Sequence, residues 1–240
     1  MKKSCLCLAL ALFSLNAQAE RPQFWRQLES GFDSTGWSLL GGGALAAAIA
    51  TRWDASVVNS FAGDAHLVGW RDLGNFWGGG LPMGVFALGA MGYGTFAPNE
   101  GWQTEGVSLT EGLLVNGAVS MAMKYAIGRT RPDESDKTSF PSGHTSTAFV
   151  MVGHVANLYG NLQALPFAAL GVLTGLSRMA SHKHFLSDTL FGASLGYFWG
   201  RTFAKDLQPH TGSTQALDLH VNPWCELSQR TCGFASQVHF

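Results

Sequence analysis

Long apolar stretches separated by short polar ones run through the chain, and their length suits helices rather than strands. The pattern predicts helices near 36–51, 78–97, 107–127, 144–160, 164–181 and 185–204, with the polar stretch RPQFWRQLESGFDSTG ahead of the first. From Leu207 the pattern changes. Pro, Thr, Ser and Asn interrupt it and LDLHV alternates, so a loop with a short strand pair is expected there. The expected fold is all-α: a bundle of about six helices over 20–206, followed by a small irregular or β-like tail over 207–240.

The first residues, MKKSCLCLALALFSLNAQAE, place two lysines before an apolar run and end it on Ala17-Gln18-Ala19. This reads as a signal peptide, 1–19, cut after Ala19, with an uncleaved anchor helix as the alternative. Cys5 and Cys7 would leave with it. The remaining Cys225 and Cys232 are then expected to form one disulfide closing CELSQRTC; in a cytoplasmic setting they would be free thiols.

Only 13% of the 240 residues are charged, against 46% hydrophobic, with 30 Gly and 8 Trp. That balance leans towards closely packed helices beside lipid. A net charge of -1 without a dense Lys/Arg cluster argues against a nucleic-acid partner. Between Lys137 and Arg178 no Asp, Glu, Lys or Arg occurs, yet Gly, Asn, Gln and His dilute the segment. None of it is an uninterrupted span of ~20 apolar residues. The expected location is periplasmic and membrane-associated, with an integral six-helix bundle as the alternative.

Against this charge-poor background three clusters stand out. KYAIGRTRP carries Lys124 and Arg131, two helical turns apart and on one face if the helix persists. PSGH, from Pro141 to His144, opens the next helix. SRMASHKHFLSD holds Arg178, His184 and Asp188, the last two spaced to share a helical face. Singly, each has an ordinary explanation as a dipole complement, a cap or a surface ion pair. Together they suit phosphoryl transfer. Lys124, Arg131 and Arg178 can neutralise phosphoryl oxygens, and N–H groups around Ser142 and Gly143 can add donors at a helix start. His184 can attack phosphorus if Asp188 holds its other ring N–H, while His144 can protonate the leaving oxygen. The scheme uses no metal and no cofactor; vanadate is expected to bind as a phosphate mimic and inhibit.

These motifs, K-x6-R-P, P-S-G-H and S-R-x5-H-x3-D, resemble the three-part signature of the type 2 phosphatidic acid phosphatase superfamily, which includes class A acid phosphatases and vanadium haloperoxidases. The resemblance covers about 108–204. It implies a helical bundle, a phosphohistidine intermediate on His184, His144 as acid, and Lys124, Arg131 and Arg178 on the phosphate. The expected substrate is a lipid phosphate or pyrophosphate, such as a polyprenyl diphosphate, phosphatidic acid or lipid A. A soluble periplasmic acid phosphatase is the alternative; a vanadate-dependent haloperoxidase and a silent membrane component rank lower. Oligomeric state is not legible.

Other residues invite ordinary readings. His182 is expected in a solvated loop, and His154 as a hydrogen-bonded core residue. Trp70, Trp77 and Trp102 are expected to pack in the core, with an interfacial belt as the alternative. Asp133, Glu134 and Asp136 read as a solvated loop whose charge could tune selectivity against anions.

Overall fold

The computed structural model describes residues 23–61, 68–97 and 100–207, and the backbone of 218–226 and 231–239. The expected signal peptide lies outside the described residues. The helices are α1 (Gln23–Ser30), α2 (Ser34–Ala50), α3 (Asp54–Ser60), α4 (Val68–Gly78), α5 (Leu81–Phe96), α6 (Glu100–Ile127), α7 (Gly143–Tyr159), α8 (Asn161–Ala180) and α9 (Leu186–Ala204). The six expected helices correspond to α2 and α5–α9. The short helices α1, α3 and α4 were not expected. Gly, Arg71 and Asp72 dilute the apolar pattern of α4, and α1 falls in the polar leading stretch.

Helix ends follow local chemistry. Asp33 caps α2 by accepting the Gly36 N–H at 2.8 Å. Gly80, at φ 85°, turns the chain between α4 and α5, a backbone state that costs glycine little. Gly128, at φ 61°, ends α6, donating its N–H to the Lys124 carbonyl at 2.9 Å.

Helix α9 is the centre of the bundle, packed on α7, α2 and α6. The α7–α9 seam is built on glycine. A Cβ at Gly192, Gly196 or Gly200 would collide with the carbonyl oxygen of Ser142, Ser146 or Val150, and one at Gly153 would collide with that of Tyr197. Spaced four apart, the three glycines of α9 form a groove into which the α7 backbone settles. Beside the seam the core contains Met83, Leu109, Val150, Leu195, Phe198 and Phe203.

At one end of the bundle the chain turns from α1 into α2, and here Asp33 accepts from Arg201 (2.8 Å) and Lys205 (2.7 Å), tying this turn to the end of α9. The opposite end gathers the start of α3, the end of α6 and the starts of α7 and α9.

The outer faces carry much exposed apolar surface: Trp37, Leu45 and Ile49 on α2, Leu81, Val85 and Leu88 on α5, Leu114, Met121 and Tyr125 on α6. Trp70 is 61% exposed, so the expectation of core packing fails for it. Trp77 does pack, against Phe167, and Trp102 lies edge-on to Phe86 and Tyr93. No described helix is long and apolar enough to cross a membrane.

The tail forms the expected strand pair, β1 (Asp218–Glu226) antiparallel to β2 (Thr231–His239), with Cys225 directly opposite Cys232.

Candidate active site

The three sequence clusters meet at the end of the bundle where α6 and α8 finish and α7 and α9 begin. His184 lies just before α9 and is 2% exposed. Its Nδ1 sits 2.6 Å from the Ser139 carbonyl oxygen. A carbonyl only accepts, so Nδ1 carries the proton and Nε2 keeps the lone pair. The ring is therefore held in one tautomer, with Nε2 free of the proton.

Two sequence expectations need correction here. Asp188 does not hold the ring N–H; its Oδ2 is 3.8 Å from Nδ1, and the Ser139 carbonyl makes that bond instead. The reason is helical phase: α9 starts at Leu186, so His184 precedes the helix and does not share its face. Asp188 is instead a local anchor, accepting from Ser139 Oγ (2.5 Å), Phe185 N (2.8 Å) and Arg129 Nη1 (2.6 Å). Burial pushes its carboxyl up, but the contacts with His184 and Ser139, the Arg129 charge and the Phe185 N–H outweigh burial and hold it below the usual value. Burial also lowers the His184 imidazole, with the neighbouring carboxylate opposing it.

The second correction concerns Ser142. Its N–H donates to the Asp188 carbonyl at 3.0 Å, because the PSGH turn is docked on the first turn of α9, and so it is not aimed at a ligand. Its Oγ pairs with Thr145 Oγ1 at 2.9 Å. The donors left for an anion are those opening α7 from Gly143, since the helix's hydrogen bonding starts with Ser146 N–H to the Ser142 carbonyl at 2.9 Å. His144 belongs to this turn. Burial first, then the charge of Arg178, lowers its imidazole to about 4.

The cations converge from three elements. Lys124, in the last turn of α6 and buried, donates to the carbonyls of Thr138 (2.6 Å) and Pro141 (2.7 Å), leaving one of its three N–H groups. Burial and then the Arg131 charge lower it to about 8. Arg131 does not share a helix with Lys124, since Gly128 has already ended α6. It reaches the site from the following loop, held by Thr138 Oγ1 (2.9 Å) and Asp136 (3.0 Å). Arg178, ending α8, donates Nη1 to Asn75 Oδ1 at 2.7 Å, while its buried Nε has no hydrogen-bond partner among the described residues. Burial and then the Arg131 charge lower its affinity for its proton. Three like charges held this close, partly desolvated, form a receptor for an anion.

The acidic loop is less free than expected: Asp136 pairs with Arg131, and Asp133 pairs with Lys183 at 2.5 Å. His182 lies in this loop region, half-buried at φ 52°, with its carbonyl accepting the Asp133 N–H at 3.1 Å. His154 is indeed in the core, but its ring nitrogens have no hydrogen-bond partner among the described residues; Nε2 lies 3.5 Å from Glu105 Oε1.

Sequence reasoning missed Ser139, Arg129, Asp54 and Asn75. Arg129 stood in plain view within KYAIGRTRP, and its charge in a charge-poor chain was the available signal. Asp54 and Asn75 come from α3 and α4, far away in sequence, and no local pattern marks them.

Residues 105–211 match the profile of the PAP2 superfamily. This segment carries all three motifs. It is similar to the lipid A 1-phosphatase of Porphyromonas gingivalis, 34% identical over 116 residues, which is 47% of this chain and 26% of that protein. It is also similar to the lipid A 4'-phosphatase of Helicobacter pylori, 31% identical over 109 residues, 43% of this chain and 55% of that one. The chain thus spans about a quarter and about half of these curated relatives. Among solved structures, a transmembrane PAP2 type phosphatidylglycerolphosphate phosphatase from Bacillus subtilis aligns over 80% of this chain and 90% of that chain, at 22% identity and a TM-score of 0.43.

Proposed function

We propose that the chain is a phosphatase that removes phosphate from a lipid phosphate or pyrophosphate through a phosphohistidine on His184, without a metal. The observation that carries this is the His184 ring, its Nδ1 proton fixed on the Ser139 carbonyl, its Nε2 left with the lone pair, and the charges of Lys124 and Arg178 acting on it. In the proposed reaction Nε2 attacks phosphorus in line with the leaving oxygen. Lys124, Arg131, Arg178 and the N–H groups opening α7 take up the charge on the equatorial oxygens. His144 gives its proton to the leaving oxygen, then takes one from the water that hydrolyses the phosphohistidine. An anion in the site offsets the cations that depress His144, so substrate arrival favours its protonated form.

A lipid substrate fits the surroundings. Reaching Ser177, the chain neighbour of Arg178, α4 and α8 enclose a largely apolar groove of ≈ 280 Å³ lined also by Phe61, Trp70, Arg71, Leu173, Leu176 and Ala180, suited to an acyl or prenyl chain. The exposed apolar faces of α2, α5 and α6 suit a lipid surface more than water. The similarity to two lipid A phosphatases makes the phosphates of lipid A the first substrates to test. We place the protein, after export, on the periplasmic face of a membrane, with Cys225 and Cys232 joined.

Phosphate release from lipid A, a polyprenyl diphosphate, phosphatidic acid and a water-soluble monoester, with and without detergent, tests the reading. Lipid turnover well above monoester turnover, blocked by vanadate and indifferent to EDTA, is the expected result. Equal turnover of all four would favour a broad acid phosphatase, and loss to EDTA restored by a divalent ion would refute the metal-free scheme. Two free thiols in the denatured, unreduced protein would contradict the disulfide.

A further inference from the structure

Asp188 is bound to a second acid through a shared arginine. Arg129 Nη1 donates to Asp188 Oδ1 at 2.6 Å and to Ser187 Oγ at 2.7 Å, while Nη2 donates to Asp54 Oδ2 at 2.7 Å. Asp54 also accepts the Ser187 N–H (2.9 Å) and Ser187 Oγ–H (2.6 Å), capping α9 from the start of α3. The Arg129 guanidinium carbon lies 4.4 Å from the centre of the Phe185 ring. The backbone of the same arginine also contributes: its carbonyl accepts the Ser139 N–H at 2.9 Å, and the Ser139 carbonyl is what holds His184. Arg129 therefore touches both supports of the imidazole, Asp188 by side chain and Ser139 by main chain.

A cation fixed against Asp188 creates an electrostatic problem. Attack by Nε2 leaves positive charge on the imidazole ring, and a neighbouring carboxylate stabilises it. Arg129 alone would cancel that carboxylate. Asp54, 4% exposed, adds a second negative charge on the far side of the guanidinium, so the trio of Asp188, Arg129 and Asp54 keeps one net negative charge facing His184.

Resting on the phosphohistidine reading above, we infer that Asp54 and Arg129 are positioning residues for this reaction: Arg129 fixes Asp188 and Ser139, and Asp54 preserves the negative charge that the phosphorylated imidazole requires. Neither touches substrate. The pair acts on the transition state at His184, while substrate is bound by the three cations.

The test uses the full chain with Asp54→Asn, Arg129→Gln and the double variant. Asparagine keeps an oxygen acceptor for the Ser187 N–H and removes the charge. Expected for Asp54→Asn is a fall in kcat of about tenfold or more with KM within about twofold. The vanadate inhibition constant should rise by a similar factor, since vanadate mimics the transition state formed on Nε2. In the Arg129→Gln background Asp54→Asn should cost nothing further, because the charge it balances is gone. A purely structural role would lower the folded fraction and leave kcat and the vanadate constant of the folded enzyme unchanged, and that result would overturn the inference. So would wild-type kcat in Asp54→Asn while the wild type labels at His184. If Asp54→Asn does not fold, Arg129→Lys, whose single ammonium cannot bridge both carboxylates as the fork does, must show the same split of kcat from KM; unchanged kcat there would also refute it. Absence of label on His184 in the active wild type would bring down the phosphohistidine reading itself, and this inference with it.

Discussion

Helices α6, α7 and α9 bring two buried imidazole–carboxylate pairs into one bundle, and only one of them has the makings of an active site. His184 and Asp188 approach to 3.8 Å at the end where α7 begins; His154 and Glu105 approach to 3.5 Å near the end where α7 finishes. Distance does not separate them. At the first pair the ring is oriented by a carbonyl, the carboxylate is held by Arg129 and two neutral donors, and the charges of Lys124 and Arg178 act on the ring. At the second, the carboxylate accepts from the Tyr159 hydroxyl at 2.7 Å and the imidazole lacks a hydrogen bond among the described residues. A buried histidine beside an acid becomes a candidate nucleophile when its tautomer is fixed and an anion can be received in front of it.

Mutation at the two pairs should separate them most. His184→Asn is expected to remove at least about 10⁴-fold of kcat and all acid-labile phosphate label, since the covalent route is lost. Normal labelling of this variant would erase the distinction. His144→Ala should lower kcat by about 10²–10⁴-fold on a substrate with a poor leaving group and much less on one with a good leaving group, because only the former needs the proton. Parallel losses on both substrates would assign His144 a different task.

The comparison is sharpened by pH. Burial and neighbouring cations lower His144 to about 4 and Lys124 to about 8, and an anion bound among those cations is expected to raise both. A group whose affinity for protons rises on binding favours the complex fully below its free pKa, and that advantage is lost as pH climbs from the free to the bound value. Sulfate, which does not titrate in this range, should therefore bind more weakly above pH 4, by up to about tenfold per unit, level off, and weaken again above pH 8. Isothermal titration in buffers of different ionisation heat should show proton uptake at pH 6; its absence would mean His144 does not sense the anion. The smallest effect on activity is expected at the second pair. His154→Ala should leave kcat within about twofold and cost ~2 kcal/mol of stability in denaturant melts, the signature of a core residue. A large fall in kcat without a loss of stability would give His154 a role in catalysis.

Sequence alone located the six long helices and singled out the cationic and imidazole groups that the fold gathers at one end of the bundle, because charge is scarce and these groups interrupt an otherwise apolar pattern. It misjudged how they are wired. The spacing of His184 and Asp188 looked helical, but the chain enters α9 only at Leu186, and the ring turns to a backbone carbonyl that no residue type advertises. Ser142 looked like a ligand donor, but its N–H is consumed by the Asp188 carbonyl. Asp54 and Asn75 were invisible for a different reason: they reach Arg129 and Arg178 through tertiary packing of α3 and α4.

The glycine groove between α7 and α9 bears on how the proposed phosphatase would distinguish substrates. Because the backbones of these helices touch directly, the spacing of His144 and His184 is set by main chain against main chain, with no intervening side chains to repack. A methyl group at Gly196 would act as a wedge nearly three turns into α9, spreading His144 and His184 apart from a position that contacts neither ring. Such a frame admits little induced fit around phosphorus. On the proposed function, selectivity between one phosphate ester and another would then arise farther out, at the groove where α4 meets α8, so the reaction could stay fixed while the clientele changes.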